Sequence, residues 1–254
     1  MGSERWGRMK TSDLAGFFLR SLFIMASLNF QRMQNMGFAF AILPLALKVG
    51  KDEKDISSFL TRHLEYFNTH PYLSGAVLGS VIALEVDNEH HDNSTDISRL
   101  KKSLMGPYAA IGDSFFWGSL RPLTGITAAA MAYQGSVWAP FVLLLLFDPL
   151  QLWIRLKGFV EGYRHGWQGI TYIQSWDLPR LARIVRWGTI ICLAVAAACL
   201  AQGIAGLYAG IWMQPLVSVT VLATVLLSFL AVERGLSPLI ILYGMTAGCV
   251  ALMI

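Results

Sequence analysis

"WGTIICLAVAAACLAQGIAGLYAGIW", residues 187–212, carries no charge and exceeds the roughly 20 apolar residues that a helix needs to cross a bilayer. Two similar tracts follow it, Pro215–Val232 and Leu236–Ile254, and Gly125–Leu146 is a fourth. The whole chain is 55% hydrophobic and 14% charged, with a mean hydropathy of +0.51, whereas soluble domains are about 25% charged. The sequence therefore predicts an all-α integral membrane protein with several transmembrane helices.

Two shorter apolar runs, Met36–Val49 and Tyr72–Leu84, also contain Gly or Pro. Runs of this length suit buried, re-entrant or broken helices better than a full crossing, so the number of spans stays open. We expect the whole chain to form a single membrane domain. Its predicted parts are a cytoplasmic amphipathic segment (1–35), a core that carries the motifs (36–186) and C-terminal transmembrane helices (187–254).

The net charge is +4, and the positive charges concentrate in two segments. Residues 1–35 carry five Lys or Arg against two acids, and residues 155–186 carry six against two. Because cytoplasmic segments of membrane proteins are enriched in Lys and Arg, both are predicted to be cytoplasmic, and three later crossings place the C-terminus outside. Arg180, Arg183 and Arg186 are expected to contact the head groups of membrane lipid.

Two amphipathic helices are predicted before the core. Residues 11–35 begin with the helix-start residues Thr11–Asp13 and continue with apolar residues at helical spacing. This N-terminal helix lies either at the membrane interface or against the rest of the protein. Residues 53–68 repeat the pattern, and their apolar stripe includes His63, which we expect to be packed and hydrogen-bonded.

The stretch "LMGPYAAIGDSFFWGSLRP", residues 104–122, combines charges with helix-breaking residues just before an apolar tract. Gly106-Pro107 and Arg121-Pro122 predict breaks in helical structure. Irregular backbone at membrane depth is tolerated only where protein or a wet cavity satisfies it, so the stretch is predicted to lie beside a polar route. Asp113 and Arg121 are candidate functional residues, although Asp113 alternatively caps the helix that follows it.

A second polar motif, "NTHP" at residues 68–71, precedes the apolar run that ends on Glu85. Asn68, Thr69 and His70 are predicted to hydrogen-bond a polyol at the lip of a re-entrant segment. Turn and capping roles explain Asn68 and Thr69 equally well. Glu85 either accepts hydrogen bonds from sugar hydroxyls or pairs with an arginine.

The sequence contains no recognisable catalytic constellation: it has no Gly-rich phosphate loop, nucleophile elbow, HExxH or CxxC. "EHHD", residues 89–92, is interpreted as a solvated loop, because neighbours in a flexible loop cannot all face one ion. Cys192, Cys199 and Cys249 lie in apolar tracts and show neither a disulfide framework nor metal spacing. We expect no metal, no cofactor, no nucleic-acid partner and no enzymatic activity of the chain by itself.

Five blocks of the chain carry a family resemblance: "FFLRSLF", "NFQRMQNMGFAFAILP", "RHLEYFNTHPYLSGAVLGSVIALE", "LMGPYAAIGDSFFWGSLRP" and "GYRHG". In these blocks the chain closely resembles the IID component of the mannose/fructose/sorbose branch of the bacterial phosphoenolpyruvate-dependent sugar phosphotransferase system (PTS). The resemblance is continuous over residues 11–170 and weaker in the C-terminal spans. Long blocks of this kind are far more specific than any single short motif.

The resemblance implies a permease subunit of the bacterial cytoplasmic (inner) membrane. In this family IID pairs with the membrane protein IIC, the pair moves a hexose or related sugar inward, and a IIA/IIB phosphocarrier phosphorylates it. IID carries no phosphoryl group, IIC holds most of the sugar contacts, and IIC–IID pairs assemble as trimers. Members usually have a longer polar insertion where this chain runs through Ala201–Gln214 without a charge.

Two functional hypotheses follow from the residues and the resemblance together. In the first, the chain is a transport subunit whose 104–122 stretch lies at the IIC interface and helps to form the sugar path. In the second, it is a scaffold or regulatory subunit of an incomplete PTS that stabilises IIC or docks IIA/IIB without contacting sugar. The docking candidates are Arg155, Lys157 and Arg164, whose positive charge would steer an acidic partner.

Overall fold

The computed structural model describes residues 9–87, 94–168, 175–208 and 210–253, with side chains except at 94, 202–214 and 252–253. The α-helices of these residues are α1 (Thr11–Ser21), α2 (Asn35–Val49), α3 (Glu53–His63), α4 (Ser74–Asp87), α5 (Ser94–Gly112), α6 (Arg121–Tyr133), α7 (Ala139–His165), α8 (Leu178–Tyr208), α9 (Gly210–Glu233) and α10 (Pro238–Met253). A π-helical segment, Asp113–Leu120, joins α5 to α6, and a 3-10 turn, Gly166–Gln168, follows α7. The predicted all-α fold is confirmed, while the predicted loop at 89–92 lies outside the described residues.

Within the described residues, three helices are long and apolar enough to cross a membrane: Ala139–Gln168, Leu178–Ala201 and Pro215–Glu233. Two of them confirm the spans predicted at residues 187–212 and 215–232. The tract predicted at 236–254 forms the shorter apolar helix α10.

The predicted span Gly125–Leu146 is wrong, because the chain turns in the middle of it. Gly135, at φ +80°, ends α6 in the left-handed conformation that glycine adopts without steric cost. The N–H of Ser136 then donates to the carbonyl of Met131 at 3.0 Å, which closes the end of the helix. The tract is therefore shared between α6 and α7.

Helix α7 continues through Asp148-Pro149, where the sequence predicted the end of an apolar tract. A proline inside a helix removes one main-chain hydrogen bond, and here that loss does not stop the helix. The aromatic, basic segment that follows is consequently the second half of a candidate span.

The helix breaks predicted in residues 104–122 are also wrong, because the backbone stays helical through the whole stretch. Helix α5 runs through Gly106-Pro107. Pro122 lies in the first turn of α6, directly after the π-helical segment, and it does not break the helical backbone. Asp113 opens the π-helical segment without interrupting the helical backbone, so it does not cap a new helix. The irregularity predicted for this stretch takes the form of eight π-helical residues.

Helix α4 occupies the core of the N-terminal part of the fold, and all its residues except Leu84 and Asp87 are buried. It packs closely on α7 through paired small-residue motifs. A Cβ at Gly79 would meet the backbone of Phe159, and one at Gly162 would meet the carbonyl of Ala76. Small residues at such spacing let helix backbones approach in membrane proteins.

The N-terminal helix α1 packs on the protein, which is one of its two predicted alternatives. Leu14 and Phe17 are buried, and the ring of Phe18 lies 5.9 Å from that of Phe159. The helix ends at Ser21, well before residue 35, because the chain then enters a series of turns.

The described residues divide into two compact units. Unit 1 comprises Met1–Gly118 and Leu144–Ala182, and unit 2 comprises Ser119–Leu143 and Arg183–Ile254. Unit 1 holds the buried helix α4 and most of the predicted polar residues. In unit 2, the hydroxyl of Thr189 donates to the carbonyl of Ser119 at 3.2 Å.

Candidate functional site

The "NTHP" segment is held in a fixed conformation by hydrogen bonds to its main chain. The side chain of Gln34 donates to the carbonyl of Thr69 at 2.7 Å and accepts from the N–H of Thr69 at 3.2 Å. The carbonyl of His70 accepts from the N–H groups of Leu73 and Ser74, both at 3.0 Å, and thereby starts α4. Because both ends are bonded, residues 69 and 70 are presented rigidly.

The His70 ring joins this segment to the π-helical segment. It stacks on Phe116 at a centroid distance of 5.0 Å with an interplanar angle of 12°, and it lies 4.7 Å from the ring of Trp117. Tyr72 approaches the edge of Phe116 at 4.9 Å. The imidazole also occupies the space that a Cβ at Gly112 would need. We call Thr69, His70, Tyr72, Phe116 and Trp117 the His70 cluster.

Two polar atoms of this cluster are buried and have no hydrogen-bond partner among the residues that the structure describes: Thr69 Oγ1 and His70 Nε2. His70 Nδ1 accepts from the N–H of Tyr72 at 3.3 Å, so the proton of the neutral ring is on Nε2. Burial, and then the positive charge of Arg155, lower the pKa of His70 to about 4. Unsatisfied buried donors are rare in folded proteins, so each of them requires an explanation.

Helix α7 supplies two further atoms of this kind in the same unit, Gln151 Oε1 and Arg155 Nε. Arg155 is buried and donates through another nitrogen to the carbonyl of Ser21. Its burial keeps this docking candidate away from the surface of the chain. The two other docking candidates, Lys157 and Arg164, form ion pairs with Glu161, at 2.9 and 3.5 Å.

Glu85 belongs to a separate, charged cluster of unit 1. Arg62 donates from Nε to Oε1 and from Nη2 to Oε2, both at 2.8 Å, and His63 Nε2 lies 2.8 Å from Oε1. Lys101 donates to the carbonyl of Arg62 at 3.2 Å and lies over the ring of Phe38. We call Arg62, His63, Glu85 and Lys101 the Glu85 cluster.

The titration of this cluster follows from burial and hydrogen bonding. Burial alone would raise the pKa of Glu85, but hydrogen bonds from His63 and Arg62 outweigh it and hold that pKa below its usual range. Burial lowers the pKa of His63 to about 4 and that of Lys101 to about 8. His63 is therefore a neutral donor to the Glu85 carboxylate, as expected for a packed and hydrogen-bonded histidine.

The remaining site candidates lie apart from these clusters. Asn68 donates its N–H to Met105 Sδ at 3.3 Å and is partly exposed. Asp113 and Arg121 have exposed side chains at the two ends of the π-helical segment, in unit 1 and unit 2 respectively. The described residues contain no group of three or more His, Cys, Asp or Glu that could hold a metal ion.

Sequence reasoning missed Gln34 and Arg62, the residues that organise the two clusters. Gln34 belongs to the polar string "NFQRMQN" at the start of an apolar region, and that unusual placement was an available signal. Arg62 directly precedes His63, on a turn of α3 that faces α4. Only the fold brings it to Glu85, 23 positions along the chain.

Comparisons with known proteins agree on one family. The model of the PTS mannose/fructose/sorbose family IID component matches residues 8–209. The mannose-specific EIID component of Escherichia coli (strain K12) is 33% identical over 75% of this chain and 68% of its own length. The fructose permease IID component of Bacillus subtilis (strain 168) is 31% identical over 77% of this chain and 70% of its own length.

A solved structure is also similar. One chain in the cryo-EM structure of the mannose transporter ManYZ with microcin E492 superposes with a TM-score of 0.61 and 25% identity, over 96% of each chain. These similarities favour the transport-subunit hypothesis over the scaffold or regulatory alternative. They confirm the resemblance seen in the sequence blocks: the chain belongs to the mannose/fructose/sorbose family of PTS IID components, which are membrane subunits of sugar permeases in the bacterial cytoplasmic (inner) membrane.

Proposed function

We propose that the chain works with the membrane subunit IIC to move a hexose or related sugar inward, and that a IIA/IIB phosphocarrier phosphorylates this sugar. The chain carries no phosphoryl group and catalyses no reaction by itself. Its two units work as one membrane domain, with the N-terminus cytoplasmic and the C-terminus outside, and IIC–IID pairs assemble as trimers. The observation that carries this proposal is the family match over residues 8–209.

The His70 cluster is the part of the chain that we assign to the sugar path or to the IIC interface. Thr69 Oγ1 and His70 Nε2 are oriented by fixed backbone and have no partner within the described residues. Both atoms are buried in this chain, so a sugar hydroxyl or a polar group of IIC would satisfy them once the His70 cluster opens. Asn68, at the start of the same segment, is partly exposed and extends this polar surface.

Asp113 and Arg121 flank the π-helical segment, and we assign them to the IIC interface or the path as well. Charged side chains in a membrane protein are costly unless they are paired or hydrated. Their exposure on this chain supports shelter by a companion subunit or by a wet passage. Glu85 differs, since both its oxygens are bonded to Arg62, which supports a structural role behind the path.

Contact with IIA/IIB is proposed for the basic end of α7, where Lys157 and Arg164 are partly exposed. Arg155 would contribute only indirectly, because it is buried. Neutralising Lys157 and Arg164 to Gln should reduce recovery of IIA/IIB in a pull-down at low salt, where charge steering is strongest. Unchanged recovery would remove this end of α7 from the docking proposal.

The transport proposal is tested by uptake in proteoliposomes that contain the IIC–IID pair, with IIA/IIB and phosphoenolpyruvate-dependent phosphorylation supplied inside. Asp113→Ala and Arg121→Ala should each reduce the rate of sugar uptake at least tenfold at equal protein content. Asp96→Ala and Arg99→Ala are matched controls, because these α5 residues are exposed and pair with each other at 3.7 Å. Wild-type uptake rates in both test variants would reject the proposed roles.

A further inference from the structure

Residues 29–33 form a small, rigid loop between α1 and α2. The N–H of Asn29 donates to the carbonyl of Met33 at 3.1 Å, and the N–H of Met33 donates back at 2.9 Å. The side chain of Asn29 accepts from the N–H of Arg32 at 2.8 Å and donates to Asn35 Oδ1 at 2.9 Å. The loop is therefore closed across its base and anchored to the first residue of α2.

The loop contains a strained residue, and its surroundings hold that strain. Met33 has φ +56°, in the left-handed region that non-glycine residues seldom adopt. Its neighbours are bonded on both sides: the N–H of Gln34 donates to the carbonyl of Phe67 at 2.8 Å, and the N–H of Phe67 donates to the carbonyl of Arg32 at 3.3 Å. Strain of this kind persists where the surroundings over-determine a conformation, and it clusters at clamps and binding sites.

The loop holds a single aromatic side chain, Phe30, at its tip, and this side chain is 100% exposed. An exposed phenylalanine on a rigid loop gains nothing from the fold, because no apolar surface of it is buried. A fixed aromatic ring loses little conformational entropy on binding, and such rings are frequent anchors in protein interfaces.

The surroundings of Phe30 favour a protein pocket over lipid hydrocarbon. Its neighbours Gln31 and Arg32 are polar and exposed, and the backbone at the tip is irregular. Irregular backbone with polar flanks is disfavoured in the hydrocarbon region. An apolar centre with a polar rim is instead the usual anatomy of a protein interface.

We propose that Phe30 is a docking knob that inserts into an apolar pocket of the partner membrane subunit. The pocket should carry a carboxylate or carbonyl oxygens at its rim, because the exposed Arg32, which donates from one nitrogen to the carbonyl of Leu64 at 3.2 Å, flanks the knob. This inference rests on the proposed function, which makes that partner IIC. An open groove of about 1280 Å³, lined in part by Gln31, Arg32, Tyr66 and Lys102, continues the polar rim on one side.

The knob is connected to the candidate site by a short series of hydrogen bonds. The loop is bonded to Phe67, and Gln34, the next residue after the loop, holds Thr69. A partner that binds Phe30 therefore contacts a loop that is bonded directly to the backbone that presents Thr69 and His70. Docking and the geometry of the proposed path are linked through Gln34.

The test uses the intact IIC–IID complex in native-like membranes, with the photoreactive residue p-benzoyl-phenylalanine at position 30. We expect a cross-linked product that contains both subunits. A product with lipid alone, or no product at all, would overturn the proposal. Position 243 is a matched control, because Tyr243 is an exposed aromatic residue of α10, in unit 2.

A binding measurement provides a second test of the docking role of Phe30. Phe30→Ala should reduce retention of this chain on immobilised IIC at least tenfold while its midpoint of thermal unfolding in detergent stays unchanged. Unaltered retention would contradict the knob. Sugar uptake by the wild-type pair is measured in the same preparation. If uptake is absent while the cross-link forms, the proposed function fails and the docking assignment stands.

Discussion

The two buried polar clusters of unit 1 differ in how completely their hydrogen bonds are made. In the Glu85 cluster, both carboxylate oxygens are bonded and His63 Nδ1 is the one described side-chain atom left unpartnered. In the His70 cluster, Thr69 Oγ1 and His70 Nε2 both lack a partner. A buried carboxylate whose two oxygens are both bonded stabilises the fold, whereas the His70 cluster keeps unused hydrogen-bonding capacity. This difference supports the proposed structural role of Glu85 and the proposed recognition role of His70.

The largest expected effect on stability is in the Glu85 cluster. Glu85→Ala would leave Arg62 and His63 without the carboxylate that they bond, and breaking a buried ion pair costs about 3–5 kcal/mol. We expect a loss of that order in the free energy of unfolding, measured by denaturant titration in detergent. Glu53→Ala, at an exposed position of α3, should change it by less than about 0.5 kcal/mol. A Glu85→Ala loss as small as the control would contradict the structural role.

A smaller loss of stability is expected when Gln34, whose side chain holds the main chain of Thr69, is replaced. Gln34→Met keeps the size of the side chain but leaves the N–H and carbonyl of Thr69 without it. The net contribution of one hydrogen bond to stability is about 0.5–1.5 kcal/mol, so we expect the loss of both bonds to cost about 1–3 kcal/mol in total. Gln31→Met, at an exposed position, is the control. Stability equal to wild type in Gln34→Met would show that the clamp on Thr69 is not needed.

The Glu85 cluster should also make the protein less stable in acid. The pKa of His63 is about 4 in the fold against an ordinary value near 6.5, so the unfolded chain binds more protons between these values. Stability is therefore complete above pH 6.5 and is lost as the pH falls towards 4, by about 2 kcal/mol at pH 5. The lowered pKa of Glu85 acts in the same direction.

Thermal unfolding at pH 7 and pH 5 measures this effect. His63→Gln keeps a side-chain donor but does not titrate in this range, so its stability should fall less between the two pH values. Equal losses in wild type and His63→Gln would show that another group controls the acid sensitivity.

The contrast between the clusters also shows what the sequence can predict. Hydropathy is a local property, so the spans at α8 and α9 are predictable from composition, as is the burial of α4. The turn at Gly135 is less visible, because apolar residues continue on both sides of it. The π-helical segment has no simple sequence signature, and its Gly and Pro residues predict breaks that do not occur.

Pairings between distant residues are the least predictable part. Glu85 had two predicted alternatives, and only the fold selects Arg62 as its partner. The stacking of His70 on Phe116 joins two motifs that the sequence predicted separately. Hydrogen-bond satisfaction, which separates the two clusters, depends on such pairings and appears only in three dimensions.

The smallest expected effect on stability, and the sharpest test of the comparison, is Thr69→Val. Valine has the shape of threonine and replaces the Oγ1 hydroxyl with a methyl group. This hydroxyl has no hydrogen-bond partner among the described residues. Removing a buried polar atom that makes no hydrogen bond should change the free energy of unfolding by less than about 0.5 kcal/mol, or raise it. Sugar uptake by the IIC–IID pair should nevertheless fall at least tenfold and be restored by Thr69→Ser. Thr61→Val, on the exposed side of α3, should leave uptake unchanged. Normal uptake in Thr69→Val would mean that the open hydrogen-bonding capacity of the His70 cluster is not used in transport.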